Sequence, residues 1–265
     1  RVRGPAPLAV PLLAGLFGDA DAARHLDARA EVAAMVRFEA ALARAEEYGN
    51  LRGQALAHEG LASVALGRCD PDTALAHGRE ARRRAQGSGS LSIEARALLV
   101  CGDAQRLAAD PVAAEASYRE AVALCKSLGL ALVTVAEAHV TWALVGQGQL
   151  REALPQLREQ RRVFAREARN HFRGTTECCL AVCAGADAQW ADWLEHLEQA
   201  ERLLTETGFV DFTCARALVE AARQAEEAGR VTDSRWAYSI AVRLWAQLGW
   251  PEPLAKAREA LERLS

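Results

Sequence analysis

The sequence predicts an all-α solenoid of about six antiparallel helix pairs, closed by one further helix. Three observations lead there. Ala, Leu, Arg and Glu dominate the 265 residues, and all four are good helix formers. No stretch alternates apolar and polar residues with the period of two that a half-buried strand requires. The chain also repeats itself every forty residues, as expected of a stack in which each unit buries its apolar face against the next.

Residues 1–10 form an N-terminal extension. The stretch Arg1 to Gly18 places two arginines near the apolar run PAPLAVPLLAGLFG, faintly like a secretory signal. Pro5, Pro7 and Pro11 interrupt that run and the chain starts without Met, so a piece of a longer protein is the expectation. Block 11–50 fits the repeat frame with a poor first helix. Blocks 51–90, 91–130, 131–170, 171–210 and 211–250 each open on an amphipathic helix. Each then breaks at a turn: GRCDP (67–71), LAADP (107–111), GQGQL (146–150), GADAQ (185–189) or AGRVT (228–232). A second helix follows and ends in a short link: GSGS, LGL, ARN, TGF or LGW. The tail 251–265, PEPLAKAREALERLS, reads as an amphipathic helix that covers the exposed end of the stack.

The second helices carry a sharper signature. A small residue, a large one four later and Ala three after that recur as Ala34-Phe38-Ala41, Ala114-Tyr118-Ala121 and Ser234-Tyr238-Ala241. Weaker copies are Ala74-Gly78-Ala81 and Trp193-Leu197-Ala200. Offsets of four and three put all three side chains on one stripe of a helix. Small residues admit the neighbouring helix, and the aromatic fills the gap between hairpins.

This pattern resembles the tetratricopeptide repeat, over nearly the whole chain from about Pro11 onward. The best block is LLVCGDAQRLAADPVAAEASYREAVALC (98–125), with Cys101-Gly102 in its first helix and Ala114, Tyr118 and Ala121 in its second. The turn GQGQLREAL (146–154) also matches, through Gly148, Leu150 and Ala153. The period exceeds the family's, which is about 34 residues, and the Pro that usually ends the second helix is missing. The resemblance implies a right-handed superhelix, similar to the sensor regions of large bacterial regulators such as maltose-activator-like transcription factors and ATPase-linked signalling kinases. HEAT-like repeats, with a period of about 40–47 residues, are the alternative.

Composition and motifs restrict the chemistry. A net charge of −3 gives no overall attraction for polyanions. The arginine clusters Arg79-Arg82-Arg83-Arg84 and Arg158-Arg161-Arg162-Arg166-Arg169 sit among acids, which argues against nucleic acid. The most apolar internal run, Leu130 to Val145, holds Glu137 and His139 and is too short for a membrane span. Seven cysteines, an odd number without a CxxC pair, favour reduced thiols and a cytoplasmic location. Cys178, Cys179 and Cys183 are the one cluster, read as small core residues with redox sensing as the alternative. No phosphate loop, nucleophile elbow or HExxH occurs, and the six histidines are scattered. Carboxylates stand beside arginines at helical spacing, as in Glu115–Arg119 and Glu198–Arg202. The expectation is therefore no catalytic residue, no metal and no cofactor.

In tetratricopeptide arrays the first helix of each hairpin lines a concave groove. The resemblance thus assigns Leu56, Glu59, Ser63 and Leu66 to the groove, then Arg96, Leu99, Asp103 and Arg106. It further assigns Val135, Ala138, Trp142 and Val145, and finally Arg216, Val219, Arg223 and Glu226. Glu59, Arg96, Asp103, Arg106, Trp142, Arg216 and Arg223 are the candidate partner-binding residues, because arginine clamps carboxylates and tryptophan supplies contact area. The dense Lys/Arg/Asn set with which chaperone-binding members grip an acidic C-terminus is missing. The expected function is a non-catalytic scaffold binding a protein or peptide within a larger bacterial regulatory protein. The alternative is a sensor that holds a small-molecule effector inside the superhelix.

Overall fold

A computed structural model of the chain describes residues 28–264. The expected extension 1–10 and the first helix of block 11–50 lie outside the described residues. Twelve helices run through the rest: α1 (Ala28–Glu47), α2 (Leu51–Gly67), α3 (Pro71–Gly87), α4 (Leu91–Leu107), α5 (Pro111–Leu128), α6 (Val133–Gly146), α7 (Leu150–Arg166), α8 (Asn170–Ala186), α9 (Trp190–Thr207), α10 (Phe212–Glu227), α11 (Val231–Leu248) and α12 (Pro251–Arg263). Helices adjacent in sequence pack together, except that α10 rests on α8 instead of α9, and the antiparallel pairs stack into a solenoid.

Local chemistry sets where the helices begin. Asp70 and Asp110 accept the Thr73 and Ala113 backbone N–H at 3.0 Å, and a proline follows each at the first helical position. An aspartate cap satisfies an otherwise orphaned donor, while the proline has no N–H to orphan. Asn50 and Asp211 cap α2 and α10 in the same way. Left-handed residues end the helices: Gly129, Gly208 and Gly249 are C-caps at φ 62°, 63° and 70°. Cys69, Ala109, Ala168 and Ala188 take the same conformation without being glycine.

The second-helix stripe is buried inside the stack, while on α1 Ala34 is buried, Phe38 half-buried and Ala41 exposed. Ala114, Tyr118 and Ala121 on α5, and Trp193, Leu197 and Ala200 on α9, have no measurable exposure. Their partner surfaces are cut to fit. A Cβ on Gly102 of α4 would overlap the Tyr118 ring, and one on Gly60 of α2 would overlap Phe38 of α1. The first helices are sandwiched instead of half-exposed. On α8 every residue from Gly174 to Gly185 is buried, and α6 is buried over most of its length. The apolar run that opens at Leu130 is thus an interior helix, and no helix among the described residues is long and apolar enough to cross a membrane.

First helices of successive repeats touch one another more extensively than second helices do, so the first helices form the inner wall of the coil. Two polar clusters tie the stack. Fully buried Glu177 on α8 meets Arg161 of α7 at 3.2 Å, Arg173 at 3.5 Å and His196 of α9 at 2.8 Å. His58 of α2 and His77 of α3 face each other with Nδ1 atoms 3.0 Å apart, so in the neutral pair one donates and the other accepts.

Candidate functional site

The coil closes on itself. Arg106, in the last turn of α4, donates from Nη1 to the Thr213 hydroxyl at the start of α10, 107 residues away. Arg216, one turn further along α10, donates to the Arg106 carbonyl at 2.8 Å and the Leu107 carbonyl at 3.3 Å. Beside this contact lies a cavity of about 550 Å³, bounded by the ends of α4 and α6, the starts of α5, α7 and α10, and the middle of α8. Apolar side chains such as Pro111, Val145, Val182 and Phe212 make much of its wall, while Arg106, Trp142, Gln147, Thr213, Arg216 and Glu220 supply its polar groups.

Arg106 is the most constrained of these. Its Nη2 donates to Asp103 at 3.0 Å, and Asp103 also accepts the Tyr118 hydroxyl at 2.7 Å. Its guanidinium lies 4.3 Å from the centre of the Phe212 ring, and that of Arg216 lies 5.5 Å from the same ring. The negative face of an aromatic ring attracts a cation held over it. Burial disfavours the charge on Arg106, yet Tyr118, Asp103 and Asp211 around it outweigh that and raise its pKa. Burial and the neighbouring Arg106 lower the pKa of Arg216. Trp142 is buried against His139 at 4.9 Å and Phe172 at 6.1 Å. Burial pushes the Cys179 thiol, which also lines the cavity, well above its ordinary range, so it is a neutral wall group.

Of the seven candidate residues, Arg106, Trp142 and Arg216 meet at this cavity, with Asp103 bound behind Arg106. The other three are elsewhere. Glu59 and Arg96 bind each other across α2 and α4 at 2.8 Å, and burial raises the pKa of the Glu59 carboxyl against the pull of Arg96. Arg223 is exposed and grips Glu220 at 2.9 and 2.7 Å and Glu227, both on its own helix. The pairing expected of Arg202 with Glu198 gives way to Gln199 at 2.6 Å and Glu206 at 3.5 Å, whereas Arg119 does meet Glu115. In the arginine clusters, Arg82, Arg83, Arg84, Arg161, Arg162 and Arg169 all carry carboxylate partners.

Phe212 and Thr213 were not legible as site residues. They follow the cap residue Asp211, and only the superhelical turn brings them to Arg106. Cys178, Cys179 and Cys183 are all buried, and Cys214 sits 3.2 Å from the Thr175 hydroxyl in the same interior.

No family model matches the sequence, and no curated protein does. Solved structures do match. A Rap protein complexed with competence and sporulation factor aligns with 94% of this chain at 15% identity and a TM-score of 0.65. The apo form of RapI aligns with 92% of this chain and 86% of its own length, at 12% identity and a TM-score of 0.66. Aspartyl phosphate phosphatase F from Bacillus subtilis gives 92% coverage, 12% identity and a TM-score of 0.65. This chain spans 64% of the length of the first and 62% of the third. At such identities the likeness is one of architecture. The chain has a tetratricopeptide-like helical-repeat fold.

Proposed function

We propose that this chain is a non-catalytic interaction module that holds a peptide or a segment of a partner protein against its inner wall, within a larger bacterial regulatory protein. The observation that carries the reading is the cavity where α4 and α10 meet, a concave apolar surface with a few convergent polar groups. First helices α4, α6, α8 and α10 supply most of its lining, and theirs is the face on which helical-repeat proteins present extended binding surfaces. One structural neighbour is described in complex with a separate factor, in keeping with that use. Seven free thiols, with no disulfide, fit the cytoplasm. A small-molecule effector is the second reading, favoured by the cavity volume alone, which lies within the range of about 300–1,000 Å³ usual for such ligands.

Affinity capture from a source-cell lysate tests the first reading, using wild type beside an Arg216→Glu/Ala217→Phe variant of unchanged helicity. A partner held by wild type and lost by the variant is the expected result. Retention by both would remove the inner wall from consideration. Capture by neither would leave the small effector as the better account.

A further inference from the structure

The cavity lining holds a cation that no carboxylate meets. Its charged residues are Arg106, Arg216 and Glu220. Arg106 is held by Asp103 at 3.0 Å. Glu220 stands one turn beyond Arg216 on α10, the spacing at which the two could pair. It is taken instead by Arg223, at 2.7 Å. Asp211, buried at the cap of α10, accepts the Thr213 N–H at 3.1 Å and makes no ion pair with Arg216. Among the described residues the Arg216 guanidinium donates to backbone carbonyls alone.

That cation is both reachable and fixed. Arg216 is exposed, whereas Arg106 and Trp142 are buried. Its Nη1 and Nη2 donate to the Arg106 and Leu107 carbonyls, and its Cζ lies 5.5 Å from the centre of the Phe212 ring. Arg106 and Phe212 are themselves lining residues, so these contacts hold the charge at the cavity. A guanidinium has five N–H groups in a planar fork, and the Nε–H is among those still free to donate. The two carbonyls belong to the end of α4, where a helix presents only about half a negative charge. Three helices start around the cavity and two end there, so the backbone leaves the local sign positive. Beyond the cation the wall is apolar at Pro111, Val145, Val182 and Phe212. A carboxylate matches the guanidinium in charge and shape, and an apolar stem matches the wall.

We propose that the cavity binds a carboxylate that carries an apolar stem, with Arg216 gripping the carboxylate and the stem lying against Pro111, Val145, Val182 and Phe212. Two sources share that chemistry: the C-terminus of a peptide ending in an apolar residue, and a small free acid. The inference rests on the reading above that the ligand sits at this cavity, and it names the group by which the ligand is held.

Binding is read as saturable shifts of the backbone amides of residues 212–220 in a ¹⁵N–¹H correlation spectrum. The probes are hexanoate and acetyl-alanyl-leucine, each beside its own primary amide. At least one acid is expected to bind in the millimolar range, and about tenfold or more tightly than its amide, the value of a hydrogen bond to a charged group. Preference for acetyl-alanyl-leucine would identify a chain end as the source, and preference for hexanoate a free acid. Arg216→Gln should erase the difference between acid and amide. Ala217→Phe, which narrows the cavity and keeps Arg216, should weaken the acid about tenfold. No shift with either acid, or amides bound by wild type as tightly as the acids, would overturn the proposal whether or not the variants fold. So would an acid preference that survives Arg216→Gln, or full affinity in Ala217→Phe. A captured partner lost by Arg216→Glu/Ala217→Phe while neither acid binds would remove this inference and leave the peptide-binding reading standing. A partner held equally by both forms, with hexanoate preferred over its amide, would remove the peptide-binding reading and keep the site for a free acid.

Discussion

Ala188 ends the turn between α8 and α9 at φ 53°, a left-handed conformation that an L side chain adopts at a cost of about 1–2 kcal/mol. Glycine adopts it freely, although it also loses more backbone entropy on folding. Ala188→Gly is therefore expected to stabilise the chain by about 0.5–1 kcal/mol, raising the thermal midpoint by roughly 1–4 °C. An unchanged or lowered midpoint in calorimetry would show that the turn is not strained. Glu177 makes the opposite point about single residues. It reads as one more acid on an arginine-rich chain, yet it is fully buried among Arg161, Arg173 and His196. Two of those partners lie on other helices, and nothing in local spacing announces them.

At the scale of helices, Gly102 and Tyr118 set how closely α4 approaches α5. An added methyl at Gly102 meets the tyrosine ring, and overpacking of this kind costs about 1–3 kcal/mol. Gly102→Ala should lower the urea midpoint accordingly, and Gly102→Ala combined with Tyr118→Leu should cost less than the two single changes added. Strict additivity would show that the two positions do not press on each other. The small-large-small stripe that contains Tyr118 was readable in the sequence because offsets of four and three allow only one face. The first helices were harder. When a helix such as α8 is buried on nearly every side, no stripe remains to read, and its polar residues give no direction. Of the candidate site, Arg106, Trp142 and Arg216 were reachable through their first-helix positions. Glu59 and Arg96 have the same kind of position, but the fold spends them on each other.

Over the whole molecule, three histidines make stability depend on pH. Burial lowers the pKa of His58, His77 and His139 from the ordinary 6.5, with His77 adding to the shift at His58 and Arg106 to that at His139. Glu80 opposes the shift at His58 and at His77, as Asp103 does at His139. Below 6.5 the unfolded chain takes up protons that the folded chain refuses, so stability falls as pH drops through that value. The thermal midpoint is expected to fall between pH 7.5 and pH 5.5, and His58→Gln/His77→Gln to flatten the profile. A midpoint independent of pH across that window would contradict the assignment.

The contact of Arg106 with Thr213, and of Arg216 with the end of α4, has a mechanical consequence. A simple stack pulled from its two ends behaves like a row of beads, each unit peeling away from the next at a similar low force. Here one coil is stitched to another more than a hundred residues away. The hairpins outside the stitch still peel one by one, but the length between its two ends is shielded and is released only after it snaps. Under tension the middle of the molecule is a spring with a fuse: held until a threshold, then suddenly compliant.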